Sequence, residues 1–267
     1  MPERSSYGTV AALYDTYVQA NFDVEFFCNR VRCCTGPVVE LMAGTGRLSH
    51  KLFDYNPRLT CLDLSREMLH VLAGKFAERE STPTLVCADV RSLPLHGGYE
   101  LAIIPFNSFA ELTSAEDQRQ SLLELNRVVV AGGQVICTLH NPEVRRRSLD
   151  GEERLLGRYP LTQDRELELL VTGTVDGDTG LARSLQRVRI WNEEEELVEE
   201  HLQELRFALI TDEAFADLAA HTGFEVVELL GDYDGAAYAR ETSPFMIWTI
   251  EKARAIAPVS QQGGKSA

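Results

Sequence analysis

The chain has 267 residues, of which 44% are hydrophobic, and a formal net charge of −15. This length and composition allow one large α/β domain with an insertion and a sizeable core. The negative charge repels phosphate backbones, and the densest basic patch, 145–147, is short, so we expect no nucleic-acid partner. No apolar run approaches the ~20 residues of a membrane span, and the N-terminus lacks the apolar segment of a signal peptide. We therefore expect a cytoplasmic protein without a membrane partner.

The six cysteines contain no C-x-x-C pair, so the sequence gives no support for a zinc site. Outside the motifs described below, no group of acidic, amide or histidine residues has the character of a magnesium site. We expect no bound metal, and we expect the thiols to be reduced, as in cytosolic proteins.

Residues 1–35 have aromatic and aliphatic residues at helical spacing, which predicts an N-terminal helical cap. Strands and helices then alternate along the chain. The predicted strands are 38–42, 59–63, 84–87, 101–104 and 134–139, and the predicted helices are 45–54, one capped by Ser65, and 115–130, stopped by Gly132 and Gly133. This alternation predicts a doubly wound, mostly parallel sheet.

From about residue 153 to residue 209 the pattern changes to β-rich runs separated by turn residues. It predicts two or three antiparallel hairpins, so we assign 143–209 to an inserted antiparallel β subdomain that acts as a lid. The α/β pattern resumes at 210–252, with further strands at 224–230 and 245–250. We therefore expect the core to comprise 36–142 and 210–252, followed by a disordered tail at 253–267.

A glycine-rich turn, Gly44-Thr45-Gly46, follows the first predicted strand. Glycines allow a tight turn and close approach of a ligand to the backbone, and the next helix offers free N–H groups. Ligands of open α/β sheets bind at the carboxyl ends of the strands, beside the point where the strand order reverses. We expect the turn to contact a ligand at that place.

Dinucleotide-binding domains share such a turn, and Asp63 stands 19 residues after Gly44, close to the spacing of their ribose-binding acid. A nicotinamide-dependent oxidoreductase therefore remains an alternative. Two features disfavour it: Ser49 stands where the third glycine is expected, and Glu40 lies within the motif. A pyrophosphate is repelled by a carboxylate, whereas a ligand with an ammonium and a sulfonium tolerates it.

Residues 38–140 resemble the core of the class I S-adenosylmethionine-dependent methyltransferases. The segment 40–46 resembles their acidic-x-x-x-G-x-G motif, and 62–69 resembles the D-x-S-x-x-M-L stretch after the second strand. The segment 88–91 resembles the part that flanks adenine. The segment 125–135 resembles the L-x-P-G-G approach to the fifth strand, with Ala131 in place of proline. The resemblance implies a seven-stranded Rossmann-like sheet and S-adenosyl-L-methionine as the cofactor.

The resemblance also implies roles for individual residues. Asp63 accepts hydrogen bonds from the ribose hydroxyls, Asp89 holds the adenine amino group, and Leu64, Met68 and Val90 form apolar walls. The expected cofactor-binding residues are Tyr14, Glu40, Ala43, Gly44, Thr45, Gly46, Asp63, Leu64, Met68, Asp89, Val90 and Phe106.

Within the family, the chain is similar to small-molecule N-methyltransferases that act on glycine-like compounds or amino sugars. In that branch an N-terminal tyrosine closes over the cofactor, which points to Tyr14. His140 follows the fifth strand and is our candidate general base, because an ordinary imidazole pKa of ~6.5 suits that task. Capping of the strand end or substrate binding is an equal alternative. Glu111 is a candidate for orienting a cationic or hydroxyl substrate, and equally for a helix-start carboxylate.

The sequence therefore predicts a methyltransferase that methylates nitrogen or oxygen of a small soluble acceptor by in-line displacement. A non-catalytic protein that binds S-adenosylmethionine or S-adenosylhomocysteine is a further alternative. The inserted hairpins also offer edges through which two copies can form a homodimer.

Overall fold

The computed structural model describes residues 10–253, so residues 1–9 and all but the first residue of the predicted tail at 253–267 lie outside the described part. The strands are β1 Val38–Leu41, β2 Leu59–Asp63, β3 Thr84–Cys87, β4 Tyr99–Ile104, β5 Val129–His140, β6 Glu153–Pro160, β7 Arg165–Val175, β8 Ala182–Asn192, β9 Leu197–Phe207, β10 Phe224–Leu230 and β11 Phe245–Lys252. The helices are α1 Ala11–Tyr17, α2 Val24–Arg32, α3 Ser49–Leu52, α4 Arg66–Gly74, α5 Ala115–Val128, α6 Pro142–Arg145 and α7 Asp212–His221.

Seven strands form the main sheet in the order β10-β11-β5-β4-β1-β2-β3. The strands from β3 to β5 pair in parallel, and β11 pairs antiparallel with both β5 and β10. The strand order reverses between β1 and β4, so a crevice opens there at the carboxyl ends of the strands. The predicted Rossmann-like fold with a mostly parallel sheet of seven strands is confirmed.

The main sheet is covered on both faces, because all four residues of β1 are buried. Ser65 caps α4 as the sequence predicts, since its side chain accepts a hydrogen bond from the backbone N–H of Met68. Among the helices between residues 10 and 253, none is long and apolar enough to cross a membrane.

Two local predictions were wrong. The predicted helix 45–54 is the four-residue α3, because the chain first makes a turn after β1 in which Gly44 and Gly46 take positive φ values of 56° and 77°. Helix α5 ends at Val128 rather than at 130, and Gly132 and Gly133 lie inside β5 instead of stopping the helix. Strand β5 begins directly after Val128, with no glycine between the helix and the strand.

Strands β6 to β9 form a separate antiparallel sheet in sequence order, inserted between α6 and α7. One face of this sheet is buried against the N-terminal segment, where Tyr17 packs with Leu167, Leu169 and Val188. The N-terminal helix and the inserted sheet therefore form a joint roof over the carboxyl ends of the main strands. These bounds are compatible with the proposed division into cap, core and lid.

Candidate active site

A cavity of about 1220 Å³ lies between the carboxyl ends of the main strands and the inserted sheet. Its floor includes the turn after β1 and the ends of β2 and β4, and its roof includes side chains from β7, β8 and β9. Ten of the predicted site residues line it: Tyr14, Gly44, Asp63, Leu64, Met68, Asp89, Val90, Phe106, Glu111 and His140.

Asp63 is fixed at the end of β2 by two backbone donors. The N–H of Gly44 donates to its Oδ2 and the N–H of Ser65 donates to its Oδ1, each at 2.8 Å. Burial raises the pKa of Asp63, and these backbone hydrogen bonds act in the opposite direction. The carboxylate is thus held rigidly at the cavity wall, with lone pairs left for hydroxyl donors.

Asp89 follows β3 and is held by the side chain of Arg91, whose Nη2 lies 2.6 Å from Asp89 Oδ2. Arg91 also donates to Asp117 at 2.9 Å, so one guanidinium joins two carboxylates at this end of the cavity. Hydrogen bonding from Arg91 holds the pKa of Asp89 below its usual value. Asp89 is therefore an ionised acceptor that suits an exocyclic amino group.

Four predicted cofactor residues do not line this cavity: Glu40, Ala43, Thr45 and Gly46. Glu40 is buried in β1 and accepts a hydrogen bond from the hydroxyl of Ser49, and burial raises its pKa to about 7. Ala43, Thr45 and Gly46 belong to the chain segment that forms the turn, but they do not face the cavity.

Polar contacts join the N-terminal segment to the turn after β1 and to the residues around it. Thr45 Oγ1 donates to Asp15 Oδ1 at 2.6 Å, and the other oxygen of Asp15 lies 2.6 Å from Nζ of Lys75, the residue that follows α4. Arg47 donates through both terminal nitrogens to the fully buried carboxylate of Asp23, each at 2.6 Å. The segment is thereby clamped against the edge of the cavity.

Asp23→Asn should lower the free energy of unfolding by about 2 kcal/mol, because the buried guanidinium of Arg47 loses a charged, two-pronged partner. Urea denaturation measures this change. The matched control is Asp54→Asn, which breaks the exposed ion pair with Arg79 and should cost at most about 0.5 kcal/mol. Equal effects of the two substitutions would contradict a structural role for the buried clamp.

The chain after β4 is strained at the cavity wall. Phe106 and Asn107 both take positive φ, 58° and 65°, which asparagine tolerates and phenylalanine adopts rarely. Two contacts hold this conformation: the guanidinium of Arg47 lies 4.7 Å from the centre of the Phe106 ring, and Asn107 Oδ1 accepts the backbone N–H of His140 at 2.9 Å. The strained turn therefore links the ends of β4 and β5.

His140 ends β5 with its ring stacked on Phe245, the ring centres being 5.5 Å apart. Burial, and secondarily the charge of Arg145, lowers its pKa to about 4. The imidazole is therefore neutral over the physiological range, so it can accept a hydrogen bond or a proton. It is a weaker base than the ordinary value assumed from the sequence.

Tyr14 and Glu111 reach the same cavity from different elements. Tyr14 lies on α1 with its ring 5.6 Å from that of Tyr17 in an edge-to-face arrangement, and burial raises its pKa, so the phenol stays protonated. Glu111 ends a short 3₁₀ turn, 108–111, after the strained residues. The structure thus brings the three predicted catalytic residues together at one cavity.

Several cavity residues were not identified from the sequence. Met42, at φ 55°, and Asn107 line the floor, and Arg145 on α6 lies beside His140. Ser184 and Gln186 of β8 reach in from the roof. Asn107 follows a predicted strand end, which was an available signal, but the roof residues have no local motif.

No group of three or more His, Cys, Asp or Glu residues that could hold a metal ion occurs within residues 10–253. The acids of the cavity are engaged by backbone N–H groups or by arginine instead, as Asp63 and Asp89 show.

Residues 38–133 match the model of a family described as a methyltransferase domain. This range contains the turn after β1, Asp63 and Asp89. Residues 38–133 therefore form a methyltransferase domain. The match decides against the nicotinamide alternative. A comparison with curated proteins finds no match.

Solved structures share the fold of this methyltransferase over nearly its whole length. The CcbJ methyltransferase from Streptomyces caelestis has 19% identity and a TM-score of 0.78, with 95% of this chain and 100% of that chain covered. CalS10, an amino pentose methyltransferase from Micromonospora echinaspora solved with S-adenosylmethionine bound, has 16% identity and a TM-score of 0.70, with 92% and 97% covered. The glycopeptide N-methyltransferase MtfA has 22% identity and a TM-score of 0.55, with 88% and 96% covered. These likenesses concern the fold.

Proposed function

We propose that this methyltransferase methylates nitrogen or oxygen of a small soluble acceptor bound under the inserted sheet. The observation that carries the proposal is that one cavity is lined both by the residues of the cofactor motifs and by the inner face of the insert. Its volume, about 1220 Å³, exceeds the roughly 300–1000 Å³ of ordinary small-ligand pockets. It therefore leaves room for an acceptor beside the nucleoside.

The cavity residues fit S-adenosylmethionine at one end. Asp63 would hold the ribose hydroxyls, and Asp89 would accept the adenine amino group against Val90. Gly44 would let the cofactor approach the backbone, with Leu64, Met68 and Phe106 as apolar walls. The bound cofactor supplies an electrophilic methyl group on sulfur.

The remaining work of the protein is to align the acceptor and exclude water. The roof formed by α1 and the insert shields the cavity, and Tyr14 would close it over the cofactor. Glu111 would orient a cationic or hydroxyl group of the acceptor. His140 would take the proton that the acceptor nitrogen or oxygen loses, because its neutral imidazole is free of competing protonation above pH ~5.

His140→Gln should lower kcat about tenfold while binding of S-adenosylhomocysteine stays within about twofold, because a weak base contributes less than the usual general base. The pKa of about 4 places any acidic decline of the wild-type rate due to His140 near pH 4, rather than pH 6.5. Initial rates across pH 4–9 measure kcat and its pH dependence, and calorimetry measures the binding of S-adenosylhomocysteine.

The exposed His70 provides the control, since His70→Gln should behave like the wild type.

The lowered pKa of His140 also affects the stability of the folded protein in acid. The unfolded chain takes up the proton near pH 6.5 and the folded chain near pH 4, so His140 reduces stability as pH falls through that interval. Full activity of His140→Gln would remove the residue from the mechanism.

Three proteins of similar structure support an amine-bearing acceptor, because they are an amino pentose methyltransferase, a sugar N-methyltransferase and a glycopeptide N-methyltransferase. The deciding experiment incubates the protein with isotopically labelled S-adenosylmethionine and a metabolite extract, followed by mass spectrometry. A labelled small product supports the proposal. Tight binding of S-adenosylhomocysteine without any labelled product would favour the non-catalytic alternative.

Pairing of two copies through the inserted sheet is a separate proposal. Light scattering of the pure protein tests it, and a monomeric mass at micromolar concentration would refute it.

A further inference from the structure

Three arginines line the cavity, and they differ in their partners. Arg91 binds Asp89 and Asp117, and Arg206 binds Glu204 through its Nε at 3.0 Å. Arg145 makes no ion pair within residues 10–253, and the side-chain hydrogen bond recorded for it goes from Nη1 to the hydroxyl of Ser148 at 3.1 Å. The cavity therefore contains one guanidinium whose charge is not balanced by a carboxylate in the described protein.

Arg145 is held in place by the local structure. It ends α6, whose first turn is capped by Asn141, and the side-chain amide of Asn141 donates to the carbonyls of Arg240 and Ser243 at 2.7 and 2.8 Å. The backbone N–H of Arg145 donates to the carbonyl of Asn141 at 2.8 Å. The loop before β11 thus anchors the short helix that presents this guanidinium.

The position of Arg145 has an energetic cost. The side chain is half-buried, and burial lowers its pKa, with no carboxylate acting in the opposite direction. A charge that is removed from water without a partner is unfavourable. An oxyanion that accepts two parallel hydrogen bonds from the guanidinium compensates for this cost. Arg145 also lies close enough to His140 to lower its pKa. It therefore stands at the acceptor end of the cavity.

We infer that Arg145 binds an anionic oxygen group, a carboxylate or a phosphate, on the acceptor molecule. This inference rests on the proposed function, because that function identifies the molecule that carries the anionic group as the methyl acceptor. The acceptor then carries an acid group at Arg145 and a methyl-accepting nitrogen or oxygen near His140. The overall charge of −15 does not oppose this, because a contact charge inside a half-buried cavity outweighs a screened distant field.

The first experiment measures anion binding without turnover. The protein is saturated with S-adenosylhomocysteine, and chloride is replaced by acetate or by inorganic phosphate at constant ionic strength. One of these anions should raise the Tm of the wild type by about 2–4 °C more than that of Arg145→Gln. Arg145→Lys should give an intermediate response, because lysine keeps the charge but loses the planar fork.

The control is Arg146→Gln, which changes the exposed neighbour and should respond like the wild type. Calorimetry with S-adenosylhomocysteine should give the same affinity for all four proteins, which also shows that each is folded. An equal anion response in the wild type and Arg145→Gln, as a general salt effect gives, would overturn the inference.

The second experiment compares three acceptors of one carbon skeleton: an amino carboxylate, an amino phosphate and the neutral amino alcohol. The wild type should show a KM about 10- to 100-fold lower for one acidic acceptor than for the alcohol, the range that a charged hydrogen bond supplies. Arg145→Gln should remove this difference by raising KM while kcat changes little. An alcohol as good as both acids would overturn the inference and leave the proposed function intact. If none of the three is methylated, the anion response decides the role of Arg145, and the metabolite experiment described above decides the proposed function.

Discussion

Asp63→Ala should weaken binding of S-adenosylhomocysteine about 1000-fold. The carboxylate is positioned by the N–H groups of Gly44 and Ser65, and two hydrogen bonds to the ribose hydroxyls would be worth about 1.5–3 kcal/mol each. Alanine also leaves the N–H of Gly44 without its acceptor, which loosens the turn. Isothermal titration calorimetry measures the affinity directly.

Asp63→Asn serves as the graded variant, because one oxygen acceptor remains, and it should lose less affinity than alanine. Asp54→Ala removes an exposed carboxylate outside the cavity and should bind like the wild type. Wild-type affinity in Asp63→Ala would show that this cavity does not hold the nucleoside as proposed.

Gly46→Ala should destabilise the protein by about 4 kcal/mol, whereas Gly44→Ala should cost only about 1 kcal/mol. A Cβ on Gly46 would lie 2.5 Å from Cγ of Leu72 on α4, and the backbone φ of 77° adds strain. A Cβ on Gly44 meets no protein atom within 4 Å, so only the strain of a φ of 56° remains. Urea denaturation distinguishes the two variants.

For cofactor binding by the folded protein, we expect Gly44→Ala to be the more damaging substitution, although it is the less damaging one for stability. Gly44 lines the cavity, so a methyl group there occupies space that the ligand needs, and Gly44→Ala should bind S-adenosylhomocysteine poorly while remaining folded. Gly74→Ala, at the end of α4 with nothing within 4 Å, is the control for a harmless glycine substitution. If Gly44→Ala bound normally, the cofactor would not contact this turn.

The fold was largely predictable because its signals are local and repeated. Short apolar runs ending in glycine or aspartate alternate with capped amphipathic helices, and parallel crossovers then constrain the topology. The placement of Asp63 and Asp89 at one edge followed from the rule that parallel strands share a carboxyl edge. Asp63, Asp89, Phe106 and His140, each at or just after a strand end, line the cavity for that reason.

The errors arose where tertiary contacts override local pattern. The segment 45–54 has helical spacing, but Gly46 has a positive φ that is incompatible with a helix, and α3 begins only at Ser49. Gly132 and Gly133 resemble a helix stop, yet they take part in a strand that begins directly after α5. Hydrophobic periodicity alone could not show the backbone conformation of Gly46 or the strand that follows α5.

The proposed acceptor end of the cavity could not be predicted from the sequence for a different reason. An arginine is a common surface residue, and only the structure shows that Arg145 reaches a cavity while Arg91 and Arg206 have carboxylate partners. Glu40 shows the converse, because the motif predicted it as a cofactor contact but the structure buries it in β1, where it accepts a hydrogen bond from Ser49. A motif identifies a residue that belongs to the family's pattern and does not indicate whether that residue lines the cavity.

The origin of the two walls of the cavity bears on how such an enzyme can diversify. The wall that we propose for the nucleoside comes from the chain at the ends of β1, β2 and β3, whereas the opposite wall comes from the inserted sheet, where Ala182, Ser184 and Gln186 of β8 line the cavity. Substitutions on that inward face leave Asp63 and its donors untouched. Acceptor preference can therefore evolve, or be redesigned, through a module whose exchange spares the methyl-donor machinery.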